Sequence, residues 1–429
     1  MLRIRFKKLG IRGVRNALLI ILYLYPLVVR RQWKIISGVS INSISVTNEV
    51  YVYPLIFAML AVLSTTRTKR RELPQSSLTE SYLCFILYAV AIMVVGMLMN
   101  IDSSIEQSLY ASWVILLNIF ALSAFYSADL RFLIKFNRII IITTIIYALL
   151  QIYTSFNMRS IASILGNTIQ SKNYINENQF RGKLPLGFPT TVVFYFALSI
   201  PFIYLEYSRA IKKTTKMFCI GSSFIVLFAA LMTGSRGGAA LTGFMIIWSV
   251  YKLRERGKGA RAIAIFLAIV AGLVFVSSYV DLSRIFTRFN DSSTSARIEA
   301  LKTSLDVVLE KPVFGTGVGK YYHRIYENRI ISIFGQSTVI DPHNAYTLLL
   351  SEIGFIGFIL FSFLFYINTR KIIHIREHKW RLAAEQSIFV FLAYSAIGSQ
   401  VINEISISII SWLYLGFFIR FADLERLQG

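Results

Sequence analysis

Asp341-Pro342-His343-Asn344-Ala345-Tyr346 is a compact polar cluster that runs straight into residues 347–367, TLLLSEIGFIGFILFSFLFYI. That apolar run is about as long as a helix must be to cross the hydrocarbon core of a bilayer. The cluster therefore sets a titratable imidazole at the mouth of a membrane helix, where a water-soluble group can meet a lipid-borne one.

The rest of the chain fits such a helix. Over 429 residues, 55% are hydrophobic and only 16% charged, a balance too apolar for a water-soluble globule. Runs of about 17 to 23 residues, the spanning length, fall near 14–30, 49–65, 81–100, 108–127, 138–156, 188–207, 217–234, 238–252, 262–280, 345–367, 383–401 and 403–421. They predict an all-α polytopic membrane protein of about twelve transmembrane helices, a single integral-membrane domain over residues 1–429. The first run is weak because it contains Pro26. No small-residue cleavage pattern follows it, so it reads as a retained helix or anchor.

The formal charge of +23 does not point to nucleic acid. Lys and Arg cluster in short segments between apolar runs, as in cytoplasmic loops, rather than on one amphipathic surface. With the N-terminus inside, most of the 45 Lys and Arg fall in the head, the loops near 66–80, 128–138, 208–216, 252–261 and 368–381, and the tail. Both termini are then cytoplasmic, and two loops stand on the outer face, 157–187 and the longer 281–344. Cys84 and Cys219 both lie in apolar runs, which argues against a disulfide framework or a thiolate metal site.

The outer loops carry the polar signals. In the long one, Ser292 to Ser295 suit a helix cap, and Ile298, Leu301, Leu305 and Val308 fall on one face of the helix that follows. This amphipathic helix either lies on the bilayer surface or roofs the bundle. Pro312, Gly315, Gly317 and Gly319 stop it. The glycine spacing is no dinucleotide loop, because no buried strand precedes it. A second signal is Thr233-Gly234-Ser235-Arg236-Gly237-Gly238, between two apolar runs. Arginine near membrane depth is costly, so Arg236 reads equally as a functional cation and as a turn residue snorkelling to headgroups.

Taken together, Ser235-Arg236-Gly237-Gly238, Arg297 at the head of the outer helix, Pro312-Val313-Phe314-Gly315-Thr316-Gly317, Pro342-His343-Asn344-Ala345 and Leu350-Ser351-Glu352-Ile353-Gly354-Phe355-Ile356-Gly357 resemble the O-antigen ligase and polymerase superfamily. Its members include the Wzy-type polymerases and WaaL-type ligases of bacterial surface polysaccharide. The resemblance runs over about 180–365; the first 150 residues match only in being helical and apolar. It implies a metal-independent, GT-C-like glycosyltransferase of the bacterial inner membrane, without cofactor, acting on undecaprenyl-diphosphate-linked glycan at the periplasmic face. The large outer loop 281–344 would then be periplasmic. Chain-length regulator and flippase proteins are the protein partners such an enzyme would meet.

Glycosyl transfer from a lipid diphosphate needs a base for the acceptor hydroxyl and cations for the leaving diphosphate. Arginine, with its planar and permanently charged fork, suits the second task, which assigns Arg236 and Arg297 to the diphosphate. A nearby cationic pair would keep His343 neutral and able to accept a proton, which makes it the expected base. Asp341 and Asn344 support the site or cap the helix. Glu352 either pairs with a bundle arginine or orients the site. Arg181 precedes Gly182-Lys183-Leu184-Pro185-Leu186-Gly187-Phe188-Pro189, but Thr190 after Pro189 departs from the family's Gly-x-Phe-x-x-Pro-Asn pattern, so its role is not carried by the motif. His323 reads as a loop surface residue, and His374 and His378 as solvated residues of a basic loop.

The Thr-Gly-Ser-Arg-Gly-Gly turn and the Asp-Pro-His-Asn-Ala-Tyr cluster look more like polymerases than ligases. A polymerase binds two lipid diphosphates and would use the further outer cations Arg181, Lys183, Lys320, Arg324 and Arg329. A ligase transferring glycan to lipid A-core is the alternative. A flippase or other transporter is the second, although the sequence shows no internal repeat of the kind transporters carry.

Overall fold

The computed structural model describes residues 10–28, 40–41, 44–45, 49–65, 105–156, 184, 186, 189–253, 293–319, 321 and 344–428. Its helices, in chain order, are α1 (Ile11–Val28), α2 (Glu49–Thr65), α3 (Ile105–Ser123), α4 (Leu130–Phe156), α5 (Pro189–Arg209), α6 (Lys213–Met232), α7 (Arg236–Leu253), α8 (Ser293–Glu310), α9 (Ala345–Ile373), α10 (His378–Ser395), α11 (Gln400–Asn403) and α12 (Ile405–Gln428). The only strands among the described residues are the antiparallel two-residue pair Ser40–Ile41 and Ile44–Ser45.

Among the described residues, six helices are long and apolar enough to cross a membrane: Ile11–Val28, Leu130–Thr154, Pro189–Arg209, Lys213–Met232, Ala345–Ile373 and Ile405–Leu427. The molecule is thus an all-α, multi-pass membrane protein. The expected number of about twelve spans is not reached by this measure. The expected spans 81–100 and 262–280 lie outside the described residues. Others form helices too polar or too short to qualify. For example, α7 opens on Arg236-Gly237-Gly238 and closes on Lys252, and α10 opens on His378-Lys379-Trp380-Arg381.

Two helices form the centre. Nearly every residue of α5 and α12 is buried, as expected of helices that are apolar all round. Around α5 pack α4, α6, α7 and α10, and around α12 pack α1, α3, α9 and α10. Aromatic rings join the two layers. Phe202 meets Tyr414 at 4.4 Å between centroids, and Trp380 stacks on Phe421 at 3.8 Å. One group of buried hydroxyls between α1, α4 and α5 is paired rather than left bare, which in an apolar interior matters more than the strength of each bond. Tyr23 of α1 meets Tyr195 at 2.7 Å and Thr143 at 2.8 Å, and Thr144 meets Tyr195 and Ser199 at 3.0 Å.

The basic loops meet at one end of the bundle. There Arg138 pairs with Glu206 at 2.9 Å, Arg420 donates to the Ala128 carbonyl at 2.8 Å, and Lys371 lies 3.7 Å from Asp423. The Glu425 carboxylate accepts from the backbone N–H groups of Arg376 and Glu377 at 2.6 and 2.8 Å. The opposite end gathers the starts of α5, α7 and α9 with the end of α10.

Candidate functional site

Each element reaches that opposite end by a short, chemically defined start. Thr233 and Gly234 close α6, Gly234 at φ 65°, and Ser235 leads into α7 with Arg236 as its first helical residue, half-buried. The glycines that follow let this corner approach its neighbours. A Cβ on Gly237 would stand 3.2 Å from Ile397, and one on Gly238 would overlap Val193 of α5. Asn344 caps α9, its side chain accepting from the N–H groups of Tyr346 at 2.9 Å and Thr347 at 3.2 Å. Of the two residues expected to cap or support, Asn344 therefore has a defined capping role. The Tyr346 hydroxyl reaches across to the Leu392 carbonyl of α10 at 2.8 Å.

The start of α5 completes the group. Tyr394 of α10 donates to the Thr190 carbonyl at 2.8 Å, and the Thr191 hydroxyl donates to the Glu404 carboxylate at 3.0 Å. Glu404 sits in the break between α11 and α12, in extended backbone and buried. The residues 392–404 thus form a common seat for three helix N-termini. Such termini carry partial positive charge and unpaired N–H groups, a setting that favours anions.

The Pro312–Gly317 turn and the Ser351–Gly357 stretch, which the sequence presents as separate motifs, form one unit. Gly354 interrupts α9 at φ 62°, ψ −174°, a backbone region that is essentially glycine's alone. Breaking a helix frees N–H and C=O groups that need new partners wherever water is excluded. Here Thr316 and Gly317 donate their N–H groups to the Ser351 and Glu352 carbonyls at 2.8 and 2.9 Å, and the Thr316 hydroxyl adds 2.9 Å to Ser351. In return Phe355 and Ile356 donate to the Pro312 and Val313 carbonyls at 2.8 and 3.2 Å.

Glu352 contributes to the same unit. Buried, its carboxylate accepts from the backbone N–H groups of Gly319 and Tyr321. These contacts are with the residues that follow the turn.

Helix α8 is longer than expected, and the face by which it packs is not its large apolar one. It begins at Ser293, inside the predicted Ser/Thr cap. Of the four residues placed on one apolar face, Ile298, Leu301 and Leu305 are exposed while Val308 is buried. The packed face holds Ala300, Thr303, Ser304, Val307 and Val308, with Ser304 meeting the Tyr321 hydroxyl at 2.7 Å and Val307 clustered with Tyr321 and Leu348. The bundle accepts the small and hydroxylated side, and Val308 stands at its border with the large apolar side. Because Val313 bonds to Ile356 and Val307 packs near Leu348, α8 and the first part of α9 run in the same direction. Arg297, further back along α8, is thereby carried toward the Asn344 end.

Of the residues singled out from sequence, Arg236, Asn344 and Glu352 have described side chains, and Arg297 is placed by its helix. His343, Asp341 and Arg181 lie outside the described residues, as do Lys183, His323, Lys320, Arg324 and Arg329. The structure adds Glu404, Thr191 and Tyr394, which the sequence reading did not single out. The available signal was an acidic residue, Glu404, inside an otherwise apolar stretch.

The helical bundle thus brings three helix N-termini, Arg236 and a capped helix mouth together at one end. Residues 221–362 match the family model Wzy_C, O-antigen ligase. This segment contains Arg236, Arg297, His343 and Glu352, and its match supports the resemblance to the O-antigen ligase and polymerase superfamily. Members of that family are glycosyltransferase-type enzymes that act on lipid-linked glycans, and the match does not support a flippase or transporter. No curated protein matches the chain.

Proposed function

We propose that the protein is a metal-independent, GT-C-like glycosyltransferase that polymerises undecaprenyl-diphosphate-linked O-antigen repeat units at the periplasmic face of a bacterial inner membrane. Both termini are cytoplasmic, and about twelve helices cross the bilayer. The observation that carries this reading is the gathering of the α5, α7 and α9 N-termini, with Arg236, at the end of the bundle opposite the basic loops. A diphosphate fits there better than any neutral ligand, because dipoles and guanidinium act on the same charge.

In the proposed reaction an acceptor hydroxyl oxygen attacks the anomeric carbon of the donor sugar. His343 takes the hydroxyl proton, the bond from the anomeric carbon to the diphosphate oxygen breaks, and undecaprenyl diphosphate leaves. Arg236 and Arg297 hold the diphosphate while charge accumulates on it. Asn344 fixes the start of α9 immediately after His343 in the chain, and Glu352 holds Gly319 and Tyr321. Asp341 and Arg181 are the further residues expected to support the site.

Ligation of the glycan to lipid A-core is the second reading, favoured by the description of the matching family as O-antigen ligase. A deletion strain separates the two. Lipopolysaccharide carrying single repeat units is the result expected for a polymerase. Core without any glycan, with polymer retained on the lipid carrier, would establish the ligase instead.

A further inference from the structure

Helix α8 has three sides, and the site uses only one of them. At about 3.6 residues per turn, Ala300, Thr303, Ser304 and Val307 fall on the side packed against Tyr321 and Leu348. Ile298, Leu301, Leu305 and Leu309 form a second side and are 37–74% exposed. Lys302, Asp306 and Glu310 form the third, with Lys302 and Glu310 exposed. Large apolar side chains thus line one open side of the helix, with charges bordering them on the other open side. A water-facing roof would not expose four such residues in register.

The apolar side does not end with the helix. It passes through Val313 and Phe314, 49% and 57% exposed, in the turn bonded to the break in α9. Beyond the break it continues into Phe355, Ile356, Ile359, Leu360 and Phe363, the exposed face of a helix long and apolar enough to cross the membrane. Exposed apolar residues therefore recur from α8, past the exposed Glu310 and Lys311, to the exposed face of α9.

We propose that α8 is an interfacial helix seated in the leaflet at the Arg236 end, with Ile298, Leu301, Leu305 and Leu309 among the acyl chains and Lys302, Asp306 and Glu310 toward the headgroups. Apolar residues on one side and charges on the other is the pattern that keeps a helix in the interface plane. The bilayer thereby fixes α8, and through Thr303, Ser304 and Val307 it steadies the first part of α9 and the loop held by Glu352. The seat depends only on this surface and stands whether the enzyme is a polymerase or a ligase.

The test uses the full-length protein in vesicles of phosphatidylethanolamine and phosphatidylglycerol, with Cys84→Ala and Cys219→Ala. Single cysteines replace Leu301, Leu305 and Leu309 on one side and Lys302 and Glu310 on the other, each carrying a nitroxide. These positions are exposed, and a monodisperse elution profile before reconstitution shows that each variant is folded. Collisions with oxygen should exceed those with a water-soluble nickel chelate several-fold at 301, 305 and 309, with the order reversed at 302 and 310. Nickel access at 301, 305 and 309 equal to that at 302 and 310 would place the stripe in water and overturn the proposal. Shielding from both reagents, with spin–spin broadening between molecules, would show that a second copy covers the stripe and would overturn it equally.

Discussion

Gly315 and Gly354 meet backbone to backbone: a Cβ built on Gly315 would stand 2.6 Å from the Gly354 nitrogen, and one built on Gly354 would stand 2.5 Å from the Gly315 nitrogen. Both residues have positive φ, 74° and 62°. The contact locks the outer turn into the break of a membrane helix, so the loop carrying the polar cluster has a fixed root.

Alanine at Gly354 would combine a backbone conformation costing about 1–3 kcal/mol with an overlap against the Val313 carbonyl. Together these should remove much of a marginal stability. Gly354→Ala is expected to lower the melting temperature in detergent sharply, read by fluorescence-detected size exclusion after heating. Gly221→Ala, where nothing lies within 4 Å of the added Cβ, should match or slightly exceed the wild type. Equal melting of Gly354→Ala and wild type would show that the break in α9 is dispensable.

The Thr191–Glu404 contact gives a smaller expected effect. Thr191→Val keeps the shape and removes a hydroxyl donor from a buried carboxylate, a loss of about 1–3 kcal/mol. The melting temperature should fall by several degrees, while Thr191→Ser, which retains the donor, should recover most of it. If valine and serine behave alike, the hydrogen bond contributes nothing.

The helices were legible in the sequence because spanning length and apolarity leave little ambiguity. Apart from 81–100 and 262–280, each expected span falls on a described helix. The cap at Asn344 was legible too, as a short polar side chain just ahead of an apolar run. The break at Gly354 was not, since a glycine inside such a run reads as a tolerated residue until its φ is known. Likewise Val308 falls with Ile298, Leu301 and Leu305 by periodicity, and only the packing partner shows that it lies over the edge. Glu404 was missed because its partner Thr191 is 213 positions away, a separation that no local pattern reveals.

The proposed orientation, with both termini cytoplasmic, has a direct consequence at two positions. A cysteine placed at Arg297 should react with an impermeant maleimide added to spheroplasts, and one placed at Arg376 should react only after the membrane is opened. Labelling in the opposite order would turn the bundle over and put the Arg236 end in the cytoplasm.

The proposed chemistry separates binding from turnover. Removing a general base costs about 10²–10⁴-fold in rate, so His343→Ala should lose turnover while still retaining lipid-linked donor in a filter or thermophoresis assay. Arg236→Lys keeps the charge but loses the two-pronged grip on phosphate oxygens, and should lose most activity as well. Full turnover in His343→Ala would remove it as the base.

The most direct measurement supplies purified protein in vesicles with lipid-linked repeat units alone and follows product length on a gel. Longer lipid-linked chains should appear without any lipid A-core, and His343→Ala should yield none. Chains that remain single until core acceptor is added, and then appear joined to the core, would contradict polymerisation and identify the enzyme as a ligase.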